Sequence, residues 1–290
     1  MGWLIAVARR SRQQARGSRD IGKTLTKVKL FAVNPTLYER EMADVTHRDA
    51  RPPLLLFPGL LCDARLWRDQ VAALSATVRC VVADCTQDDT LDGMVERALA
   101  AVPGQFAVAG LSMGGYAAMA AVRRAPERVS ALCLMDTSAR PDTPEQARRR
   151  RGLMALVARG GRFKGVTPRL LPLLLHPGRL SDEALCGEVM AMADRVGPEA
   201  FLRQQAAIVA RPDSRPDLPR IAVPTLVAVG DGDQLTPPDL AAEIAGLVPG
   251  AALHVVEGAG HLLPMERPDA ATRLMREWLD ATLPTTRRLH

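Results

Sequence analysis

The chain has 290 residues, 47% hydrophobic and 24% charged, ordinary globular values that allow one sizeable core; aromatics at 3% make that core aliphatic. The formal charge of +6 belongs to residues 1–41, where nine Lys or Arg face three acids, while the other 29 bases and 29 acids cancel; nucleic-acid binding by the folded body is thereby disfavoured. No apolar stretch reaches the roughly 18 residues of a membrane helix. The five cysteines (Cys62, Cys80, Cys85, Cys133, Cys186), with no C-x-x-C pair, read as reduced thiols of a cytoplasmic protein.

Residues 1–50 are rich in arginine, poor in acids at the start and without sustained periodicity, so they read as a flexible basic extension. Met42 is an alternative start, attachment to an anionic surface is a further reading, and 27–33 has the look of an edge strand. From Pro53 the pattern becomes regular. It predicts a strand over 54–57, a helix over 63–75, a strand over 78–83, a helix over 91–101, a strand over 105–109, a helix over 113–124 and a strand over 129–135. Apolar strands alternating with amphipathic helices predict an α/β, doubly wound, mostly parallel sheet with right-handed crossovers.

The alternation stops at 143–215, which reads as helices only: 144–159, 168–175, 181–195 and 198–210. Such an insertion is expected to form a helical cap over the carboxyl edge of the sheet, its leucines at 170–171 and 173–175 either lining an acyl pocket or packing the cap on the core. The run Arg148, Arg149, Arg150, Arg151 reads as a solvated helix face. Strands over 225–229 and 252–256 and helices over 238–248 and 268–282 complete a core expected at 51–142 and 216–283, with 284–290 as a tail.

Within 106–116, FAVAGLSMGGY, an apolar run meets a serine flanked by glycines and then small residues that suit a helix. A serine on a sharp strand-to-helix turn is strained, and side chains two before and two after it would collide; Gly110 and Gly114 hold those places. Ser112 is therefore the candidate nucleophile, its hydroxyl exposed at a strand end and the next N–H at a helix start, where an oxyanion is stabilised. A serine needs a base, and the base an oriented partner. In a parallel sheet these must come from loops on the same edge, which points to Asp231 and Asp233 after one strand and to His261 after another. His261 suits the base, since its ordinary pKa is near 6.5. Asp233 is preferred as the acid, with Asp231 read as a turn brace and Asp136 as the other position from which a carboxylate reaches the histidine. The loop after the first strand should add a second oxyanion donor, so the backbone N–H groups of Leu60 and Met113 are expected to hold the oxygen.

LFPGLLCDARLW, AGLSMGGYAAM, VGDGDQLTPP and EGAGHLLPMERP, in that order and spacing, resemble the α/β-hydrolase superfamily over about 52–283. The resemblance implies that fold, Ser/Asp/His chemistry without cofactor or metal, and a small-molecule acyl substrate. A serine at the elbow argues against the epoxide hydrolase and haloalkane dehalogenase branches. Many members have His-Gly at the oxyanion loop, whereas this chain has Pro58-Gly59. The expected activity is a serine hydrolase cleaving a carboxylic ester, lactone or thioester. An acyltransferase, a C–C hydrolase, a lyase or a catalytically silent ligand-binding scaffold of the same fold are the alternatives. No stable membrane insertion is expected, and oligomeric state is not legible.

Overall fold

The computed structural model describes residues 51–160 and 163–282. The strand expected over 27–33, with all else expected of 1–50, and the tail at 284–290 lie outside the described residues. Six strands form one parallel sheet in the order β2-β1-β3-β4-β5-β6. They are β1 (Pro53–Phe57), β2 (Arg79–Val82), β3 (Phe106–Leu111), β4 (Val129–Met135), β5 (Thr225–Gly230) and β6 (Ala252–Val256). The helices of the core are α1 (Arg68–Leu74), α2 (Leu91–Ala101) and α3 (Met113–Arg124). The insertion then carries α4 (Pro144–Ala158), the single turn α5 (Leu171–Leu174) and α6 (Glu183–Val209); α7 (Pro238–Leu247), the turn α8 (Leu263–Glu266) and α9 (Pro268–Thr282) follow.

Strand side chains alternate between faces. Leu54, Leu56, Ala107, Ala109 and Cys133 point to one layer, with Leu274, Met275 and Trp278 of α9. Leu55, Phe57, Val108, Leu132 and Leu134 point to the other, with Met94 of α2 and Ala117 of α3. Both faces are thus covered, as parallel sheets require. The chain runs outward from β1 to β2 and then crosses back to β3 on the other side of β1. That reversal splays the loops after Phe57 and Leu111 apart, and clefts of such sheets open there.

Two expectations are corrected. The strand before Ser112 runs two residues further, to Leu111, which puts Gly110 inside the sheet. The helix expected over 168–175 is only one turn, because Pro172 sits at its start, where a missing N–H costs nothing, and Leu175 is already extended. The two helices expected over 181–195 and 198–210 lie end to end within α6 and are broken as expected at Gly197, whose φ of +77° and ψ of 177° are not helical and which only glycine adopts freely. The single turn α8, directly after His261, was not legible from periodicity because it is too short to show any.

Candidate functional site

Leu111 ends β3, Ser112 takes φ 54° and ψ −116°, and α3 begins at Met113. This backbone is costly for serine, by about 1–3 kcal/mol. It is held by the Ser112 N–H donating to Met135 O at 3.0 Å and by Thr137 Oγ1 donating to Ser112 O at 2.8 Å. A Cβ on Gly110 would overlap the Gly114 carbonyl and lie 2.7 Å from Gly115 N, and one on Gly114 would lie 2.6 Å from the carbonyl carbon of Phe57. The glycines therefore let the elbow press against the end of β1. Among the described residues, the non-glycine residues with positive φ are Leu61, Ser112 and Asp136. They follow β1, β3 and β4, so backbone strain gathers at the carboxyl edge of the sheet.

Ser112 Oγ lies 2.9 Å from His261 Nε2, and His261 Nδ1 lies 2.8 Å from Asp233 Oδ2. Asp233 also accepts from the N–H groups of Leu235 (2.8 Å) and Thr236 (3.0 Å) and from the Thr236 hydroxyl (2.7 Å). The two backbone N–H groups both donate to Oδ1, and such bonds favour the carboxylate. Burial pushes its pKa up, but the His261 charge and these bonds outweigh that and leave it below the ordinary value. With Asp233 ionised, Nδ1–H of His261 donates to it, and Nε2 is then the bare nitrogen that faces Ser112 Oγ. Burial likewise pushes the imidazole down, yet the Asp233 charge and hydrogen bond, with Asp136 and Glu266, raise it above the ordinary histidine value.

Asp136, the other acid considered, does not contact the ring: its oxygens accept the N–H groups of Gly230 and Leu263, both at 3.0 Å. It thereby ties the end of β5 to the turn after His261. Burial, reinforced by the Asp233 charge, pushes its carboxyl up to about 8. Asp231 accepts from Gly258 N–H at 2.8 Å and so joins the two loops from below the site. His176 Nδ1 accepts from Gly178 N–H at 3.0 Å, and His254 is exposed on β6. His47 and His290 lie outside the described residues. Among the described residues, no group of three or more His, Cys, Asp and Glu is placed to hold a metal ion. All five cysteines are free thiols, and no described helix is long and apolar enough to cross a membrane.

The Leu60 and Met113 N–H groups stand in the loop after β1 and at the start of α3, and neither donates to another group among the described residues. The neighbouring N–H, that of Leu61, is occupied: it donates to Gln204 Oε1 at 3.0 Å. Gln204 is fully buried on α6, and its amide donates to Cys85 O at 3.1 Å. Sequence reasoning missed Gln204, because a glutamine on a helix reads as surface. It also missed Thr236, three residues after Asp233, and Glu266, five after His261.

A model of the alpha/beta hydrolase family matches residues 11–273. The chain belongs to that family. It is 29% identical over 181 residues to a pimeloyl-[acyl-carrier protein] methyl ester esterase of Neisseria meningitidis, an alignment covering 61% of this chain and 57% of that protein's length. Among solved structures, a thermophilic esterase from Thermogutta terrifontis superposes with a TM-score of 0.73 and 30% identity, covering 80% of this chain and 90% of that one. An enol-lactonase from Burkholderia xenovorans superposes at 0.72 with 24% identity over 81% and 93% of the two chains, a likeness of fold.

Proposed function

We propose that this alpha/beta hydrolase cleaves a small or medium carboxylic ester, lactone or thioester through an acyl-enzyme on Ser112. The observation that carries the reading is the unbroken line of contacts from Ser112 Oγ to His261 Nε2 (2.9 Å) and from His261 Nδ1 to Asp233 Oδ2 (2.8 Å). In this reading His261 takes the serine proton as Oγ attacks the carbonyl carbon. The carbonyl π electrons move to oxygen, which the Leu60 and Met113 N–H groups hold. Collapse of the tetrahedral intermediate expels the alcohol or thiol, which receives the proton from His261. Water, deprotonated by His261, then releases the acid. Asp233 keeps the imidazole in the right tautomer and stabilises its charged form.

The helical insertion serves as the cap over this edge. Its Leu174 carbonyl accepts the His261 N–H at 2.9 Å, and its Gln204 reaches the loop after β1. The esterase names of the Neisseria and Thermogutta relatives favour an ester bond. The five free thiols fit a reducing, cytoplasmic setting. The test is turnover of p-nitrophenyl esters of increasing acyl length by the wild type and Ser112→Ala. Loss of about a thousandfold or more in the variant at unchanged Tm is expected; full activity in Ser112→Ala refutes the assignment.

A further inference from the structure

The loop that carries His261 belongs to no strand or long helix, yet four consecutive backbone N–H groups each have a fixed acceptor. Gly260 and Leu262 donate to Glu266 Oε1 at 2.9 and 3.1 Å. His261 donates to the Leu174 carbonyl at 2.9 Å and Leu263 to Asp136 Oδ2 at 3.0 Å. The second oxygen of Glu266 takes the His176 N–H at 2.7 Å. Glu266 is 1% exposed, and no Lys or Arg among the described residues pairs with it. The approach is close enough to demand glycine at 260, where a Cβ would lie 2.6 Å from His176 N and 3.0 Å from Glu266 Oε1.

A buried carboxylate without a cation is an expensive way to accept three N–H bonds, since a neutral acceptor would do so with less desolvation. A charge earns its place where a positive charge appears nearby. The one that appears here is the imidazolium, formed when His261 takes the serine proton. We propose that Glu266 is a positioning residue for His261: its carboxylate grips the backbone on both sides of the histidine, ties that loop to the helical insertion at His176, and supports the ring as it becomes charged. This rests on the reading of His261 as the base.

Ser112 from the elbow and Asp233 and Thr236 from the loop after β5 reach the imidazole nitrogens, whereas Asp136, after β4, and Glu266, from α8, bond the backbone beside the ring and His176 of the insertion donates its N–H to Glu266. Burial pushes the Glu266 carboxyl up, while the N–H bonds of His176, Leu262 and Gly260 oppose the rise. Asp233 touches the ring directly; Glu266 acts through the backbone and the field.

The test uses the full chain with Glu266→Gln and Glu266→Asp, measuring kcat and KM for p-nitrophenyl butyrate from pH 5 to 9, Tm, and the rate of fluorophosphonate labelling. Glu266→Gln removes the charge and turns an amide NH2 toward at least one donor. It is expected to lower kcat about tenfold or more with KM within about twofold. Removing a negative charge disfavours the imidazolium, so the acid limb of kcat/KM should move to lower pH by about half a unit or more. Glu266→Asp keeps the charge on a shorter arm, and should hold the wild-type acid limb while recovering part of kcat. If Glu266→Gln does not fold, Glu266→Asp carries the test, and wild-type kcat in it overturns the proposal. A labelled, active wild type beside a Glu266→Gln variant with unchanged kcat and acid limb overturns it alone. So does an equal kcat loss in both variants with neither acid limb moved, which is the mark of a merely structural tie. A folded wild type that is neither labelled nor active overturns the reading of His261 as base, and this proposal with it.

Discussion

Gly114→Ala is the most informative single perturbation of the elbow. The added methyl would overlap the Phe57 carbonyl oxygen and lie 2.6 Å from the carbonyl carbon of Phe57 and 2.8 Å from Pro58 O, where ordinary contact begins at 3.4 Å. These atoms are backbone, so relief requires α3 and the end of β1 to separate by about 1 Å; no rotamer change supplies it. Phe57 and Pro58 lead directly into Gly59 and Leu60, and Gly114 stands two residues after Ser112. The same separation therefore parts the two N–H groups assigned to the oxyanion. Overpacking of this kind costs about 1–3 kcal/mol of stability, and a 1 Å misplacement costs on the order of 100-fold in rate. Thermal unfolding and p-nitrophenyl ester kinetics read the two effects separately, with kcat falling much more than KM rises. A variant with wild-type Tm and kcat would refute both the packing argument and the place given to the loop after β1.

Asp233→Asn should lower kcat by about a thousandfold or more, because an amide no longer holds Nδ1–H toward it and Nε2 is no longer the bare nitrogen; pH–rate profiles of both proteins check this. In the proposed mechanism only neutral His261 accepts the serine proton, and, against burial, the Asp233 charge raises its pKa. Activity should therefore fall as pH drops through a midpoint above the ordinary histidine value of about 6.5. A midpoint clearly below 6.5 would mean that burial and not Asp233 dominates. Gln204→Leu strands the Leu61 N–H and the Cys85 carbonyl, both buried, at a cost of about 1–3 kcal/mol each. Denaturant unfolding should show the loss and steady-state kinetics a drop in kcat, since a residue of the insertion then no longer fixes the loop after β1.

The sheet was legible because each central strand is a short apolar run bounded by turn residues, and helices alternate with it at the right spacing. The sharp turn at Ser112 was legible for a local reason: it needs glycines two before and two after, and sequence distance equals spatial distance there. Asp233 and Asp136 were harder to separate, because both end a strand on the same edge. The choice depends on which carboxylate the loop turns toward the ring, and Asp136 turns instead to Gly230 and Leu263 N–H. Gln204 and Glu266 were illegible for a different reason. Each acts on backbone far away in sequence, Gln204 on Leu61 and Glu266 on His176, and a polar side chain carries no mark of being buried until the insertion is packed. The break at Gly197 was legible, because glycine followed by Pro198 interrupts the pattern where the backbone leaves helical φ and ψ.

The most direct test of the account is to treat the purified full-length protein with a fluorophosphonate and map the adduct by peptide mass spectrometry, beside Ser112→Ala and His261→Ala. The account predicts one adduct per chain, on Ser112, absent in Ser112→Ala and formed at least about a hundredfold more slowly in His261→Ala. A folded protein that takes no adduct, or that takes it on another residue, would contradict the assignment of Ser112 as a nucleophile activated by His261.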